Sequence, residues 1–215
     1  MAWLDPRGTT ASRHDADMRA AVRHVGRSDA VVAALIRRFG SYQLFATRSP
    51  FQVMLETVVS QQLSTTAADA IYGRLSRAIG TGVPRPQALL KLSREELLAC
   101  GLSRSKAEYV RNVALAFEER RLDRRSFARK DDAAVSEALT SIKGVGEWSA
   151  HMFLIFALHR LDVFPIGDLG LRNAMASRYG LRHNAPPSRY HRIADAWRPY
   201  RTVGSLYLWK SYDGV

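Results

Sequence analysis

Apolar residues recur along most of the chain at the three- and four-residue spacing of amphipathic helices. The stretch that begins at Ser103 shows this spacing over several turns, and its apolar positions fall on one helical face: Ala107, Val110, Val113, Ala114 and Phe117. Alternating strand patterns joined by hairpin-turn signals are not found in the sequence. The pattern therefore predicts an all-α protein.

Capping residues mark where several of these helices begin and end. Ser28 or Asp29 begins one helix that Gly40 ends, and Ser64 begins another that Gly80 ends. The stretch SREELLACG contains a capping box, in which Ser93 is followed three residues later by a glutamate. These signals indicate short helices joined by short loops.

Composition and charge limit the classes of partner and cofactor that the protein can have. The chain has 215 residues, 47% of them hydrophobic, and a formal net charge of +12. Such an excess of positive charge favours a polyanionic partner such as nucleic acid, although a solvated basic surface is the plainer alternative. With Cys100 as its single cysteine, the chain cannot form an intramolecular disulfide, a four-cysteine iron–sulfur cluster or a thiolate zinc site. A single cysteine suits a protein of the reducing cytoplasm. The first residues of the sequence lack the apolar region of a secretory signal, and no apolar run approaches 18 residues, so we expect neither a secretory signal nor a membrane span.

The stretch IKGVGEWSA, from Ile142 to Ala150, predicts a tight turn between two helices. Its two glycines, Gly144 and Gly146, allow a close approach to the backbone, and the first N–H groups of the following helix point outward. Such a turn can bind a DNA phosphate without reading sequence, with help from Lys143 and the Ser149 hydroxyl. An ordinary glycine turn is the alternative.

Downstream, VFPIGDLGLR places Asp168 after a proline and a glycine. This combination resembles the helix-hairpin-helix superfamily of base-excision DNA glycosylases. Three further stretches, VVSQQLST, LLACGLSRSKAEYVRNVA and WRPYRTVGSLYLW, resemble its 3-methyladenine DNA glycosylase II branch, in the compact form without an N-terminal β domain. The resemblance extends over about residues 28–210.

The resemblance implies a two-lobed all-α fold with the active-site cleft between the lobes. We expect one lobe from residues 1–50 plus 165–215 and a central lobe from 51–164, with the hairpin at about 136–158. It also implies that Asp168 is the catalytic residue. A carboxylate stabilises the positive charge that develops on the sugar as the base leaves. The alternative is that Asp168 only caps a helix, and Asp162 is the second candidate.

Members that also cut the DNA backbone have a lysine where this chain has Trp148, which cannot form a Schiff base. We therefore expect a monofunctional enzyme. The resemblance assigns Trp148, Met152 and Trp209 to the pocket of the flipped base, where rings stack on a cationic purine. Met152 stands where a bacterial relative has a tyrosine. Core packing is the alternative for all three.

By the same resemblance, Gln62 fills the gap left by the flipped nucleotide, with Gln61 and Leu63 as supports. The alternative is a simple connecting loop. The backbone carbonyls of Thr140, Ile142 and Val145 are implied ligands of a structural Na⁺ or K⁺, and the chemistry needs no cofactor.

Taken together, these features predict a monomeric glycosylase that excises 3-methyladenine and 7-methylguanine from double-stranded DNA. In a bacterial cell the enzyme would be associated with the nucleoid. The rival is a non-catalytic helix-hairpin-helix module that binds damaged or bent DNA.

Overall fold

The computed structural model describes residues 13–40, 48–80, 83–119, 122, 124–127, 129–182 and 184–213. These residues form helices and connecting segments, with no strand among them, so the predicted all-α class is confirmed. The helices are α1 (Arg13–Ser28), α2 (Ala30–Phe39), α3 (Pro50–Ser60), α4 (Thr65–Ile79), α5 (Pro86–Leu90), α6 (Arg94–Ala99), α7 (Arg104–Glu118), α8 (Arg124–Phe127), α9 (Asp132–Thr140), α10 (Glu147–Phe156), α11 (Leu169–Tyr179), α12 (Pro187–Asp195) and α13 (Arg201–Asp213).

The predicted capping residues lie at helix ends. Asp29 caps α2, accepting from the N–H groups of Val31 and Val32, and Gly40 follows the last turn. Ser64 caps α4. The capping box of α6 is present in both directions, so each side chain accepts a hydrogen bond from the other residue's N–H. Within the described residues, each helix is too short or too polar to cross a lipid bilayer.

The described residues divide into two compact units. Residues before 47 together with those from His159 onward form the first unit, and residues from 47 to Leu158 form the second. The first unit is therefore built from both ends of the chain. The predicted boundaries after residues 50 and 164, and the predicted cleft, stay predictions.

The core of the second unit lies where α3 packs against both α7 and α10. A chain of ring contacts crosses this core: Phe117 lies 5.3 Å from Phe51 and 6.4 Å from Phe153, and Phe153 lies 5.8 Å from Phe127. Of the face predicted for α7, Ala107, Val110, Val113 and Ala114 are buried. This packing fixes the helix that follows the glycine turn.

The core of the first unit forms where α1, α2 and α11 pack with α13. Asp29 connects three elements there. Besides capping α2, it accepts hydrogen bonds through Oδ2 from the Tyr179 hydroxyl and the Trp197 indole N–H, both at 2.8 Å. Burial, together with the hydrogen bond to Asp29, raises the pKa of Tyr179, so the phenol remains a donor.

Replacing Asp29 by asparagine is expected to lower the free energy of unfolding by about 1–3 kcal/mol. The amide keeps the helix cap through one oxygen but presents N–H groups to two donors, Tyr179 and Trp197. Urea denaturation measures the change. Asp131→Asn is the matched control, since the exposed Asp131 cap accepts a hydrogen bond from the N–H of Ala134 on the surface of α9. An equal loss in both variants would contradict the proposed cost at Asp29.

Candidate active site

The predicted glycine turn lies between α9 and α10. Gly144 has φ +99°, and a Cβ built there would lie 2.1 Å from the Cγ atom of Tyr109. Only glycine fits this close approach and this left-handed backbone. Ile142 and Val145 are buried on either side, which anchors the turn in the second unit. The helix-hairpin-helix that the sequence predicts is therefore formed.

The exposed end of the turn has the features of an anion site. Gly146 is the N-cap of α10, with φ −97°, and has no side chain with which to accept the first N–H groups of the helix. A Cβ at Gly146 would meet nothing within 4 Å, so the approach to these groups is open. Lys143 lies beside it, exposed and paired with Glu108 at 2.7 Å. The bond to Glu108 raises the pKa of Lys143.

The prediction that the Ser149 hydroxyl contacts a phosphate is wrong. Ser149 is only 1% exposed, and its Oγ accepts a hydrogen bond from Gln61 Nε2 at 3.0 Å. The same nitrogen donates to the Gly144 carbonyl at 2.9 Å. Ser149 therefore stabilises the inner side of the hairpin, and its burial comes from α3, a helix distant in the sequence.

The loop between α3 and α4 presents the residues predicted to enter DNA. Gln62 is exposed and adopts φ +56°, a left-handed conformation that is uncommon for a residue other than glycine. Leu63 is 39% exposed. Gln61, half-buried, makes the hairpin contacts described above, and its role as a support of Gln62 in DNA stays a prediction. Insertion into DNA stays a prediction.

Asp168 lies in the first unit as the N-cap of α11 and is 6% exposed. Its Oδ1 accepts hydrogen bonds from the Leu171 backbone N–H at 2.7 Å and from the Trp209 indole N–H at 2.8 Å. Capping and a functional role are therefore compatible, because the cap orients the carboxylate. Trp209 is 2% exposed and holds this oxygen, a contact that the sequence did not predict.

Asp162 is excluded as a second catalytic candidate by its partners. Its Oδ1 accepts from Arg201 Nε at 2.7 Å, and its Oδ2 accepts from Arg198 at 3.2 Å. Two arginines therefore neutralise its charge. Asp162 stabilises the start of α13.

The remaining predicted pocket residues, Trp148 and Met152, lie one turn apart on α10. Trp148 is half-buried, and Met152 is 3% exposed. Their contact with a base stays a prediction, as does that of Trp209. Clusters of histidine, cysteine, aspartate and glutamate suited to a metal do not occur in the residues that the structure describes.

The carbonyls predicted to bind a cation lie at the end of α9 and in the turn. Thr140 is the last residue of α9, where carbonyls lack intrahelical partners, and Ile142 O accepts the N–H of Val145 at 2.9 Å. A carbonyl oxygen has two lone pairs, so this bond leaves room for an ion. Neutral oxygens of this kind suit a monovalent cation.

Two contacts of this region were not predicted from the sequence. Tyr109 packs against Gly144, and Lys106 donates to carbonyls at the end of α3. Both lie on α7 and contact segments far away in the chain, so no local spacing could have revealed them.

The fold and these features define a helix-hairpin-helix protein with a buried, oriented carboxylate. Residues 55–199 match the family described as HhH-GPD superfamily base excision DNA repair protein. DNA-3-methyladenine glycosylase 1 of Schizosaccharomyces pombe is 31% identical over 87% of this chain and 85% of its own length.

Solved structures agree with this match. The S. pombe 3-methyladenine DNA glycosylase Mag1, in complex with abasic DNA, has a TM-score of 0.82 and 29% identity, covering 90% of this chain and 97% of that one. A Bacillus halodurans DNA-3-methyladenine glycosidase has a TM-score of 0.75 and 38% identity, covering 89% and 88%. The chain belongs to the HhH-GPD superfamily of base excision DNA repair proteins, and the prediction of a DNA glycosylase is confirmed.

Proposed function

We propose that this protein is a monofunctional glycosylase that hydrolyses the N-glycosidic bond of alkylated purines, chiefly 3-methyladenine and 7-methylguanine, in double-stranded DNA. The observation that carries the proposal is Asp168, a buried carboxylate held by a backbone N–H and an indole N–H. A protein that only binds DNA has no need of a buried carboxylate in this setting. The names of the relatives support the substrate class.

Asp168 acts on the sugar. As the bond between C1′ and the base lengthens, positive charge develops on the deoxyribose, and a fixed carboxylate stabilises that charge without reorganising. The two N–H donors hold Oδ1, so the orientation of the carboxyl group is set before substrate arrives. The same group orients the water that attacks C1′. An alkylated purine is already cationic and leaves without a strong general acid.

The damaged base must leave the helix before it reaches a buried carboxylate. Trp148 and Met152 on α10 are proposed contacts of the flipped base, and Trp209 on α13 is a third. An electron-poor purine stacks well on indole rings through cation–π attraction. The thioether of Met152 packs on the base with less directional preference than a ring.

The hairpin binds the DNA backbone. A phosphate sits against the open N-terminus of α10 near Gly146, and Lys143 exchanges its exposed partner Glu108 for that phosphate. The carbonyls of Thr140, Ile142 and Val145 would hold a Na⁺ or K⁺, which would supply positive charge at the same turn. The partner is double-stranded DNA, to which the protein binds as a monomer. Its proposed location is the cytoplasm, or the nucleoid in a bacterial cell.

The absence of lyase chemistry is directly testable. Borohydride reduction during turnover is expected to trap no protein on DNA, because Trp148 stands at the position of the lyase lysine and forms no Schiff base. Denaturing electrophoresis of labelled DNA detects any covalent adduct. A bifunctional glycosylase run beside it serves as the positive control. A trapped band would show that an amine of this chain attacks the sugar.

The function itself is tested by incubating the protein with methylated duplex DNA and separating free bases by chromatography. Release of 3-methyladenine and 7-methylguanine, with abasic sites left uncut, is the expected result. Binding of the same duplex without release of any base would favour the rival, a non-catalytic module for damaged DNA.

A further inference from the structure

The C-terminal end of α3 is held by a half-buried lysine from another helix. Lys106, in the first turn of α7, donates from Nζ to Val59 O at 2.6 Å and to Gln61 O at 2.7 Å. Carbonyls at a helix end lack intrahelical partners and carry partial negative charge. An ammonium group satisfies both oxygens at once and complements that charge.

This contact uses two of the three N–H donors of the Lys106 ammonium group. Burial lowers the pKa of Lys106, as expected for a charge drawn out of water towards carbonyl oxygens. Charge-assisted hydrogen bonds are about twice as strong as neutral ones. The ammonium group therefore stabilises the backbone at Gln61.

The side chain of Gln61 holds the same loop from the opposite side. Its Nε2 amide uses one hydrogen on Gly144 O at 2.9 Å and the other on Ser149 Oγ at 3.0 Å. Gly144 and Ser149 belong to the hairpin turn and to α10. The α3–α4 loop (residues 61–64) is thereby attached to the DNA-binding hairpin, over a sequence separation of more than eighty residues.

Between these two attachments lies the left-handed residue. Gln62 has φ +56° and is exposed. A residue other than glycine in this conformation costs about 1–3 kcal/mol and persists only where its surroundings fix it. Lys106 holds the carbonyl of Gln61, the residue immediately before Gln62. The side-chain amide of Gln61 is held by the hairpin. Leu63 N also donates to Ser60 O at 3.1 Å.

We propose that Lys106 and Gln61 are positioning residues that hold the α3–α4 loop in the shape required for opening the duplex, and that they link this loop to the hairpin. The inference rests on the proposed function, since it concerns the loop that fills the space left by the flipped base. Neither residue touches the reacting atoms. Their effect is on the cost of extruding a base, not on breaking the glycosidic bond.

The test compares two duplexes that differ only in the cost of flipping. In one, 7-methylguanine is paired with cytosine; in the other, it lies opposite an abasic-site analogue, where extrusion costs less. Gln61→Glu keeps the size of the side chain but replaces the N–H donors by an acceptor. Lys106→Met keeps the length of the side chain but removes the charge.

Under single-turnover conditions, both variants are expected to release base at least about tenfold more slowly from the paired duplex, with less than about a threefold change opposite the abasic analogue. Lys106→Arg should restore part of the rate, since a guanidinium also donates to carbonyls. Arg104→Met is the matched control for lost charge on the first turn of α7, and it should affect both duplexes equally.

Equal slowing of the two duplexes by Gln61→Glu and Lys106→Met would overturn the inference, and so would unchanged rates on both. Thermal unfolding identifies a variant that fails to fold. If Lys106→Met does so, Lys106→Arg and Gln61→Glu carry the comparison.

A second readout separates this inference from the proposed function. The probe is a duplex that carries an abasic analogue with 2-aminopurine beside it. The fluorescence of 2-aminopurine rises when this base is unstacked. The wild-type protein should raise this fluorescence, and both variants should raise it less at saturating protein. If the wild type releases no base, the proposed function fails, while the fluorescence still decides whether the two residues hold the loop; equal brightening by wild type and variants would overturn the inference.

Discussion

Replacing Asp168 by asparagine is expected to lower base release from methylated duplex DNA by at least about 100-fold, because the sugar loses the negative charge that stabilises its transition state. Asparagine keeps an oxygen for the Leu171 and Trp209 N–H groups and is itself a good N-cap. DNA affinity and the free energy of unfolding should therefore stay close to those of the wild type. Single-turnover release, binding to the same duplex and urea denaturation measure the three quantities.

The first unit provides a matched control for this substitution. Asp29 is also an N-cap that accepts a hydrogen bond from a buried tryptophan, Trp197, but it lies at α2 and has no proposed role in the chemistry. Asp29→Asn should reduce stability and leave release per folded molecule unchanged. If Asp168→Asn retained the wild-type rate, or if Asp29→Asn matched its loss, the catalytic assignment of Asp168 would fail.

The second large effect is expected at Gly144. Gly144→Ala should lower the free energy of unfolding by about 3 kcal/mol or more, because it combines a left-handed backbone with overpacking against Tyr109. The hairpin turn would have to shift, so affinity for duplex DNA should fall by at least about tenfold, the loss of roughly one charge-assisted hydrogen bond. Denaturation and fluorescence anisotropy with labelled duplex measure both effects.

A substitution at Gly146 distinguishes the effect of the turn on stability from its effect on DNA binding. A Cβ there meets nothing within 4 Å, and φ is −97°, so Gly146→Ala should change stability by less than about 0.5 kcal/mol. The methyl group nevertheless stands where a phosphate would approach, so affinity should still fall. Full DNA affinity in both variants would show that the phosphate does not bind at this turn.

Local signals in the sequence predicted much of the fold. A cap depends on residues within one helical turn, which is why Ser64 and Ser93 were placed correctly and why Asp29 was one of the two candidates for the start of α2. The same local signal made a helix cap the alternative role for Asp168. The glycine turn was also predicted from neighbouring residues alone, because Gly144 and Gly146 lie within the turn itself. The helical spacing of the apolar residues predicted the all-α class, which the described helices and the solved relatives confirm.

Contacts between distant segments could not be predicted in this way. Ser149 looked available on a helix's first turn, but α3 brings Gln61 onto it and buries it. Lys106 looked like one basic residue among many until its carbonyl partners were seen. Trp209 was expected as a pocket wall, whereas its hydrogen bond to Asp168 depends on the packing of α13 against α11.

Ribosomal synthesis delivers the two units at different times. Residues 47 to Leu158 are contiguous, so this unit can fold as soon as it has left the exit tunnel. Helices α1 and α2 are made before this unit but pack against α13, which is translated after it. The nascent chain thus holds a finished hairpin while Trp209, the indole partner of the carboxylate, is still to be added.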